Sequence, residues 1–166
     1  MNITLIGMPG SGKTHVGKIL AQNLKFGFLD TDDEMKKEYG LNLPEILQKI
    51  GEKQFLEKEK NILISDTSGT NCLVVSPGGS IVYSVTAMEH LKKISTIIYL
   101  RTPLPVIENR IGTVPRGIIG AKTKTIAQIF SERSPLYEKW ANITVDGNQA
   151  AETVTREILS KLKTPL

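Results

Sequence analysis

Short apolar runs alternate along the chain with longer segments of helical period. The runs are NITLIG, FGFLD, CLVVS, TIIYL and NITVD. Between them the apolar spacing predicts helices over about 12–24, 33–65 with breaks near Gly40 and Gly51, 84–91, 104–110 and 125–140, and a last one ending near Lys163. The runs LVVS and TIIYL are apolar at consecutive positions, as in strands covered on both faces. This pattern predicts an α/β fold with a parallel sheet of about five strands between two layers of helices.

The composition is that of an ordinary folded domain. The chain has 166 residues, 40% of them apolar, which favours one domain over residues 1–166 and argues against disordered and fibrous classes. The apolar runs are too short to cross a bilayer, and the start MNITLIGMPG lacks the basic region of a secretory signal. We therefore expect a cytoplasmic monomer with no membrane partner. Cys72 is the only cysteine, and its apolar neighbours predict a buried strand position.

The charge pattern excludes little by itself. The net charge is +4, but the lysines are interleaved with glutamates, as in KKEYG and EKQFLEKEK. Such interleaving is typical of solvated helix surfaces and argues against a nucleic-acid partner. A modest positive field also suits a small polyanionic substrate.

The segment GMPGSGKT satisfies the phosphate-loop pattern G-x-x-x-x-G-K-[ST], after an apolar strand and at the start of a helix. Its glycines allow backbone N–H groups to turn inward around phosphates. Lys13 would then bridge the terminal phosphates, and the Thr14 hydroxyl would bind Mg²⁺. His15 has no partner motif, which favours a structural role, with a nucleotide contact as the alternative. The candidate ATP-binding residues are Gly7, Gly10, Ser11, Gly12, Lys13, Thr14 and His15.

Two other classes of nucleotide-binding protein fit less well. The segment DTSG at 66–69 matches the D-x-x-G pattern of GTPases, but it follows a Glu/Lys-rich helical stretch, and no N-K-x-D motif occurs later. We interpret it as a turn that ends a helix. A nucleoside monophosphate kinase needs several arginines around its phosphates, and only Arg116 lies between Arg110 and Arg133.

The second strand ends in FLDTDDEM, which places Asp30 and Asp32 at the carboxyl edge of the sheet beside the phosphate loop. One carboxylate can hold Mg²⁺ through water, and the other can orient or deprotonate a substrate hydroxyl. We interpret Asp33 as the cap of the next helix. The third strand leads into SPGGS, where Gly78 and Gly79 allow a ligand close to the backbone, although a plain tight turn explains them equally well.

The glycine-rich segment over 111–124 has little helical pattern and indicates a mobile loop. Arg110 precedes this loop, Arg116 lies within it, and Arg133 follows in ERSPLY. Near a phosphate site, arginines suit a lid over ATP, a carboxylate clamp and neutralisation of transition-state charge.

Five segments together resemble the shikimate kinase family in order and spacing, over most of the chain. They are GMPGSGKTHVGKILA, FLDTDDEM, GEKQFLEKE, SPGGSIV and ERSPLYEKWA. The resemblance implies a P-loop NTPase fold of three α/β/α layers and transfer of the ATP γ-phosphoryl group to shikimate with Mg²⁺, in aromatic amino acid biosynthesis. It implies that 33–65 binds the acceptor and that 111–124 closes over ATP. By motif, the catalytic residues are Lys13, Asp32 and Arg116. Thr14 and Asp30 serve the metal, and Arg110 lies against the adenine. The substrate-binding residues are Asp32, Phe55, Gly78, Gly79 and Arg133.

Three departures from the family pattern touch the acceptor side. An arginine that binds the shikimate carboxylate is expected after Phe55, where this chain has Leu56, and Lys58 is one possible substitute. The triple glycine becomes Gly78, Gly79 and Ser80 with Pro77 ahead, and VPRGIIG stands in place of the usual lid sequence. The sequence therefore leaves two alternatives to shikimate kinase: a sister kinase acting on another polyol or hydroxy acid, and a nucleotide-binding regulatory protein without phosphotransfer.

Overall fold

Five parallel strands form one sheet. The structure, a computed structural model, describes residues 1–112 and 117–163. The strands are β1 (Asn2–Ile6), β2 (Gly27–Asp30), β3 (Leu73–Ser76), β4 (Ser95–Arg101) and β5 (Ile143–Asp146), in the spatial order β2-β3-β1-β4-β5. β1 lies at the centre, paired with β3 through Ile3 and Val74 and with β4 through Leu5 and Ile98. The predicted parallel five-stranded sheet is confirmed.

The described residues form seven helices, six between strands and one after the last strand. They are α1 (Lys13–Leu24), α2 (Thr31–Tyr39), α3 (Leu43–Thr67), α4 (Val85–Ile94), α5 (Leu104–Ile111), α6 (Ile126–Trp140) and α7 (Ala151–Lys163), with a 3-10 turn at Ile81–Tyr83. A capping box of Asn42 and Glu45 starts α3, and one of Thr125 and Gln128 starts α6. α3 kinks at Gly51, whose φ of 76° is non-helical, so the predicted break is confirmed.

The core lies on both faces of the sheet. Neighbouring strand residues point to opposite faces, so Ile6, Val75 and Ile97 pack in one cluster beneath α3 to α6. The residues before or after them, Leu5, Val74 and Ile98, pack in a second cluster beneath α1 and α7. This explains the consecutive apolar residues in runs such as LVV of β3 and IIYL of β4. A smaller cluster, formed by Met35, Ile46, Leu47, Phe55 and Ile119, joins α2 to α3.

Two local expectations were wrong. Cys72 is exposed, because it lies in a turn with φ of 60° just before β3 begins. Asp33 does not cap α2, because this helix begins at Thr31 and the Asp30 carboxylate accepts the capping bond from Asp32 N. The turn at 66–69 does end α3, as predicted, with Gly69 at φ of 72°. Within the two described ranges, no helix combines the length and apolar character needed to cross a membrane.

Candidate active site

The carboxyl ends of β1, β2 and β3 meet around one cavity of about 700 Å³. Because these strands are parallel and adjacent, the loops that follow them lie at the same edge of the sheet. The lining includes most of the predicted site residues: Gly10, Gly12, Lys13, Thr14, His15, Asp32, Phe55, Gly78, Gly79, Arg110 and Arg133. The sheet topology therefore brings together residues that are spread over more than 120 positions of the sequence.

The phosphate loop wraps the first turn of α1. Gly10 and Gly12 adopt φ of 80° and 96°, which L side chains rarely adopt. Lys13 begins α1 and is buried, and its Nζ donates to the carbonyls of Gly7 at 2.9 Å and Met8 at 3.0 Å. Burial lowers the pKa of Lys13 to about 8, against the opposing effect of the nearby carboxylates. A buried ammonium with only carbonyl partners is suited to contact a polyphosphate.

Asp30 joins the phosphate loop to α2. Its Oδ2 accepts from Thr14 Oγ1 at 2.7 Å, and its Oδ1 accepts from Asp32 N at 3.0 Å. A hydroxyl and a carboxylate side by side are the hard oxygen donors that Mg²⁺ prefers. In the described part of the chain, no cluster of three or more His, Cys, Asp or Glu side chains is suited to hold a metal ion. The pair therefore fits an ion that takes its other ligands from nucleotide phosphates and water.

Asp32 lines the cavity beside Gly78. Burial raises the pKa of its carboxyl to about 6, the Asp30 charge adds to this, and Lys13 opposes it. A base with a pKa near the working pH is efficient at taking a proton in the transition state. A methyl group at Gly78 would come within 3.2 Å of Asp32 Oδ1, so this glycine keeps space open beside the carboxylate.

Glu59 is a buried member of the site that our sequence analysis missed. It is fully buried, and its Oε1 accepts from Gly78 N at 2.7 Å and from Thr31 Oγ1 at 3.0 Å. Burial, with the charge of Asp32, raises the pKa of Glu59 to about 7. The surrounding stretch EKQFLEKEK is rich in charge and typical of an exposed helix, so only its spacing from Phe55 could have singled out Glu59.

Arg133 is fully buried on α6 and faces the cavity. Its Nη2 donates to Ile119 O at 2.8 Å, its Nε donates to Tyr83 Oη at 3.3 Å, and its guanidinium lies 5.1 Å from the Tyr83 ring centre. One turn further along α6, the buried Tyr137 hydroxyl donates to Gly79 O at 2.6 Å and lies 3.9 Å from Met8 Sδ. α6 thus supports the loop that contains Gly78 and Gly79 and places the Arg133 guanidinium at the cavity.

The remaining predicted residues divide into those at the cavity and those elsewhere. Arg110 lies against the phosphate loop and the turn after β5, with Nη1 donating to Gly10 O at 3.3 Å and Gly147 O at 3.4 Å. His15 is exposed at the cavity mouth, and Phe55 is buried in its wall. Ser11 is buried within the loop. Arg116 lies outside the described residues.

The substitute suggested for the family arginine is wrong. Lys58 forms an ion pair with Glu38 beside a separate surface groove and does not line the cavity. Leu56 is half-buried against the cluster between α2 and α3 and also lies off the cavity. The position after Phe55 therefore contributes no polar group to this site.

Comparisons with known proteins agree with this geometry. Residues 9–163 match the shikimate kinase family model. The shikimate kinase of Persephonella marina is 35% identical over 98% of this chain and 99% of its own. A structure of the Acinetobacter baumannii shikimate kinase in complex with shikimate superimposes with a TM-score of 0.88, 32% identity and coverage of 97% and 92% of the two chains. The crystal structure of Aquifex aeolicus shikimate kinase superimposes with a TM-score of 0.82 and 34% identity, and the match covers 98% of this chain and 96% of the other. This chain therefore belongs to the shikimate kinase family.

Proposed function

We propose that this chain transfers the γ-phosphoryl group of ATP to a ring hydroxyl of shikimate, giving shikimate 3-phosphate and ADP. The observation that carries the proposal is the placement of Lys13, Asp32 and Arg133 around one cavity. This reaction needs three groups: a cation that binds phosphate, a carboxylate of raised pKa, and a guanidinium that binds the acceptor carboxylate. Lys13, Asp32 and Arg133 supply them in that order. Family membership supplies the identity of the acceptor.

On the nucleotide side, the loop from Gly7 to Thr14 holds the phosphates with its backbone N–H groups and the N-terminus of α1. Lys13 exchanges its carbonyl partners for phosphate oxygens and offsets charge on the transferred group. Arg110, above the loop, lies against the adenine. Thr14 and Asp30 would hold Mg²⁺, which would neutralise phosphate charge when bound.

On the acceptor side, Asp32 accepts the proton of the attacking hydroxyl. The oxygen forms a bond to the γ-phosphorus as the bond from that phosphorus to the β-phosphate bridging oxygen breaks, and ADP leaves with the electron pair. Arg133 binds the acceptor carboxylate, and the backbone at Gly78 and Gly79 borders the ring beside Phe55. These contacts fix one hydroxyl in line with the phosphate, which is where most of the rate enhancement originates.

The proposal extends to the wider chain. Residues 33–65 form the acceptor-binding segment, and 111–124 close over ATP to exclude water, with Arg116 contributing to that closure. The activity belongs to a monomer in the cytoplasm and to aromatic amino acid biosynthesis. Its partners are small molecules, with no nucleic acid and no membrane.

One observation favours a second candidate, a sister kinase for another polyol or hydroxy acid. Leu56 stands where the family carries a carboxylate-binding arginine, and it does not reach the cavity. A charge-assisted hydrogen bond is worth about 1.5 to 3 kcal/mol, so losing one without replacement weakens shikimate binding by tenfold or more.

The test is ADP release by the purified protein with ATP and Mg²⁺, with and without shikimate, beside a panel of polyols and hydroxy acids. The proposal expects strong stimulation by shikimate and none in a Lys13→Ala control. Stimulation by another acceptor alone would assign the sister kinase. ATP binding without stimulation by any acceptor would contradict phosphotransfer and favour a regulatory protein.

A further inference from the structure

Four described cations line the cavity, and they divide between its two sides. Lys13 and Arg110 contact the phosphate loop, whereas Arg133 and Lys36 border the acceptor side with Asp32 and Phe55. Lys36 is the one that the proposed mechanism does not yet use. Since Leu56 and Lys58 both lie off the cavity, Lys36 is also, among the described residues, the lining cation without an assigned role that could replace the missing arginine.

The position of Lys36 relative to Asp32 suits an acceptor that spans them. The two residues lie four apart on α2, so they share a helix face and are separated by about 6 Å along its axis. That separation is close to the width of a six-membered ring carrying substituents. A ring acceptor whose hydroxyl meets Asp32 can therefore reach Lys36 with a substituent on its far side.

The present contact of Lys36 leaves it available. Its Nζ lies 3.0 Å from Asp33 Oδ1, and both side chains are about half exposed. An exposed pair of this kind is worth only about 0 to 1 kcal/mol, so the ammonium can exchange Asp33 for a better-placed anion. The hydrogen bond to Asp33 raises the pKa of Lys36, which therefore carries its full charge at neutral pH.

The charge around the acceptor also calls for a second cation. Asp30, Asp32 and Glu59 are clustered here, and only Arg133 among the residues already assigned to the acceptor is positively charged. An anionic acceptor would otherwise meet more negative than positive charge. A lysine on a flexible stem that lines the cavity reduces this repulsion.

We propose that Lys36 is the second cationic contact of the acceptor carboxylate, acting from α2 together with Arg133 in place of the family arginine. The inference rests on the proposed function. It assigns to the chain a binding residue on a different helix from the one that carries the family motif.

The test is a cycle of two proteins and two acceptors. Lys36→Ala should raise KM for shikimate about tenfold, with kcat and KM for ATP unchanged, and Lys36→Arg should retain most of the affinity. With the shikimate analogue whose carboxylate is replaced by a hydroxymethyl group, wild type and Lys36→Ala should have equal KM. The matched control is Lys37→Ala, because Lys37 pairs with Glu34 on the same helix but does not line the cavity.

An unchanged KM in Lys36→Ala would overturn the inference while leaving the proposed function intact. An equal rise in KM for both acceptors would also overturn it, because the lysine would then not act on the carboxylate. If the wild type releases no ADP in response to shikimate, the proposed function fails and this inference with it. Melting temperatures of all variants check that each protein is folded.

Discussion

Glu59 is a fully buried carboxyl whose charge is unfavourable in the folded protein. Its ordinary pKa is 4.5, and burial raises it to about 7. Between these values the folded state binds more protons than the unfolded state, so the free energy of unfolding falls as pH rises. The stabilisation is complete below about pH 4.5 and lost above about pH 7.

Glu59→Gln removes this titration and keeps the shape. The amide oxygen can accept from Gly78 N and Thr31 Oγ1 as the carboxylate does, and the amide N–H₂ faces Ser80 Oγ, 3.5 Å from Oε2. Each pKa unit is worth about 1.4 kcal/mol, so the change from 4.5 to about 7 corresponds to about 3 kcal/mol. The variant should match wild type near pH 4.5 and exceed it by up to about 3 kcal/mol at about pH 8.

Urea unfolding of both proteins across this pH range measures the difference. The control is Glu57→Gln, since Glu57 is exposed and pairs with Lys60 at the surface. Asp32, whose pKa is also raised, titrates in both proteins and contributes to the slope of each. A difference that does not change with pH, or a wild type that is more stable at about pH 8, would refute the reasoning.

Three further changes test the site. Lys13→Ala should lower kcat about a hundredfold or more with an unchanged circular dichroism spectrum, and near-normal turnover would contradict its role. Asp32→Asn should lower kcat about a hundredfold, while the ATP affinity measured by calorimetry is kept. In the wild type, kcat/KM should fall below about pH 6, because the pKa of Asp32 is raised to about 6 and only the deprotonated form accepts a proton. Equal losses of turnover and ATP affinity, or a flat profile, would count against this base. Gly78→Ala should raise KM for shikimate about tenfold, because a methyl group there meets Glu59 and Asp32, whereas an unchanged KM would show that the acceptor lies elsewhere.

The sheet and the phosphate loop were predictable because their signals are local. Strands buried on both faces carry consecutive apolar residues, as in LVV of β3 and IIYL of β4, and the phosphate loop is a contiguous motif between a strand and a helix. The error at Cys72 has a local cause as well. Apolar neighbours do not show where a strand begins, and Cys72 itself adopts a positive φ in the turn just before β3.

The acceptor side was less predictable because it depends on how α2 and α3 pack. Asp30 and Asp32 were placed together by their strand, but which aspartate caps α2 depends on where that helix starts. In charge-rich helices, sequence does not separate Glu59, which is buried, from Glu57, which is exposed. Nor does it show that Lys36 faces the cavity while Lys58 faces away, because that depends on the angle between the helices.

Tyr137 connects the phosphate loop to the loop that contains Gly78 and Gly79. From within the core it bonds to the carbonyl of Gly79 and contacts Met8 of the phosphate loop, and the backbone at Gly79 packs directly on Pro9. The spacing between the phosphate loop and the loop of Gly78 and Gly79 is thus set by interior packing. Because Leu56 lies off the cavity and packs in a different cluster, a substitution at that position leaves the spacing of the two loops unaltered.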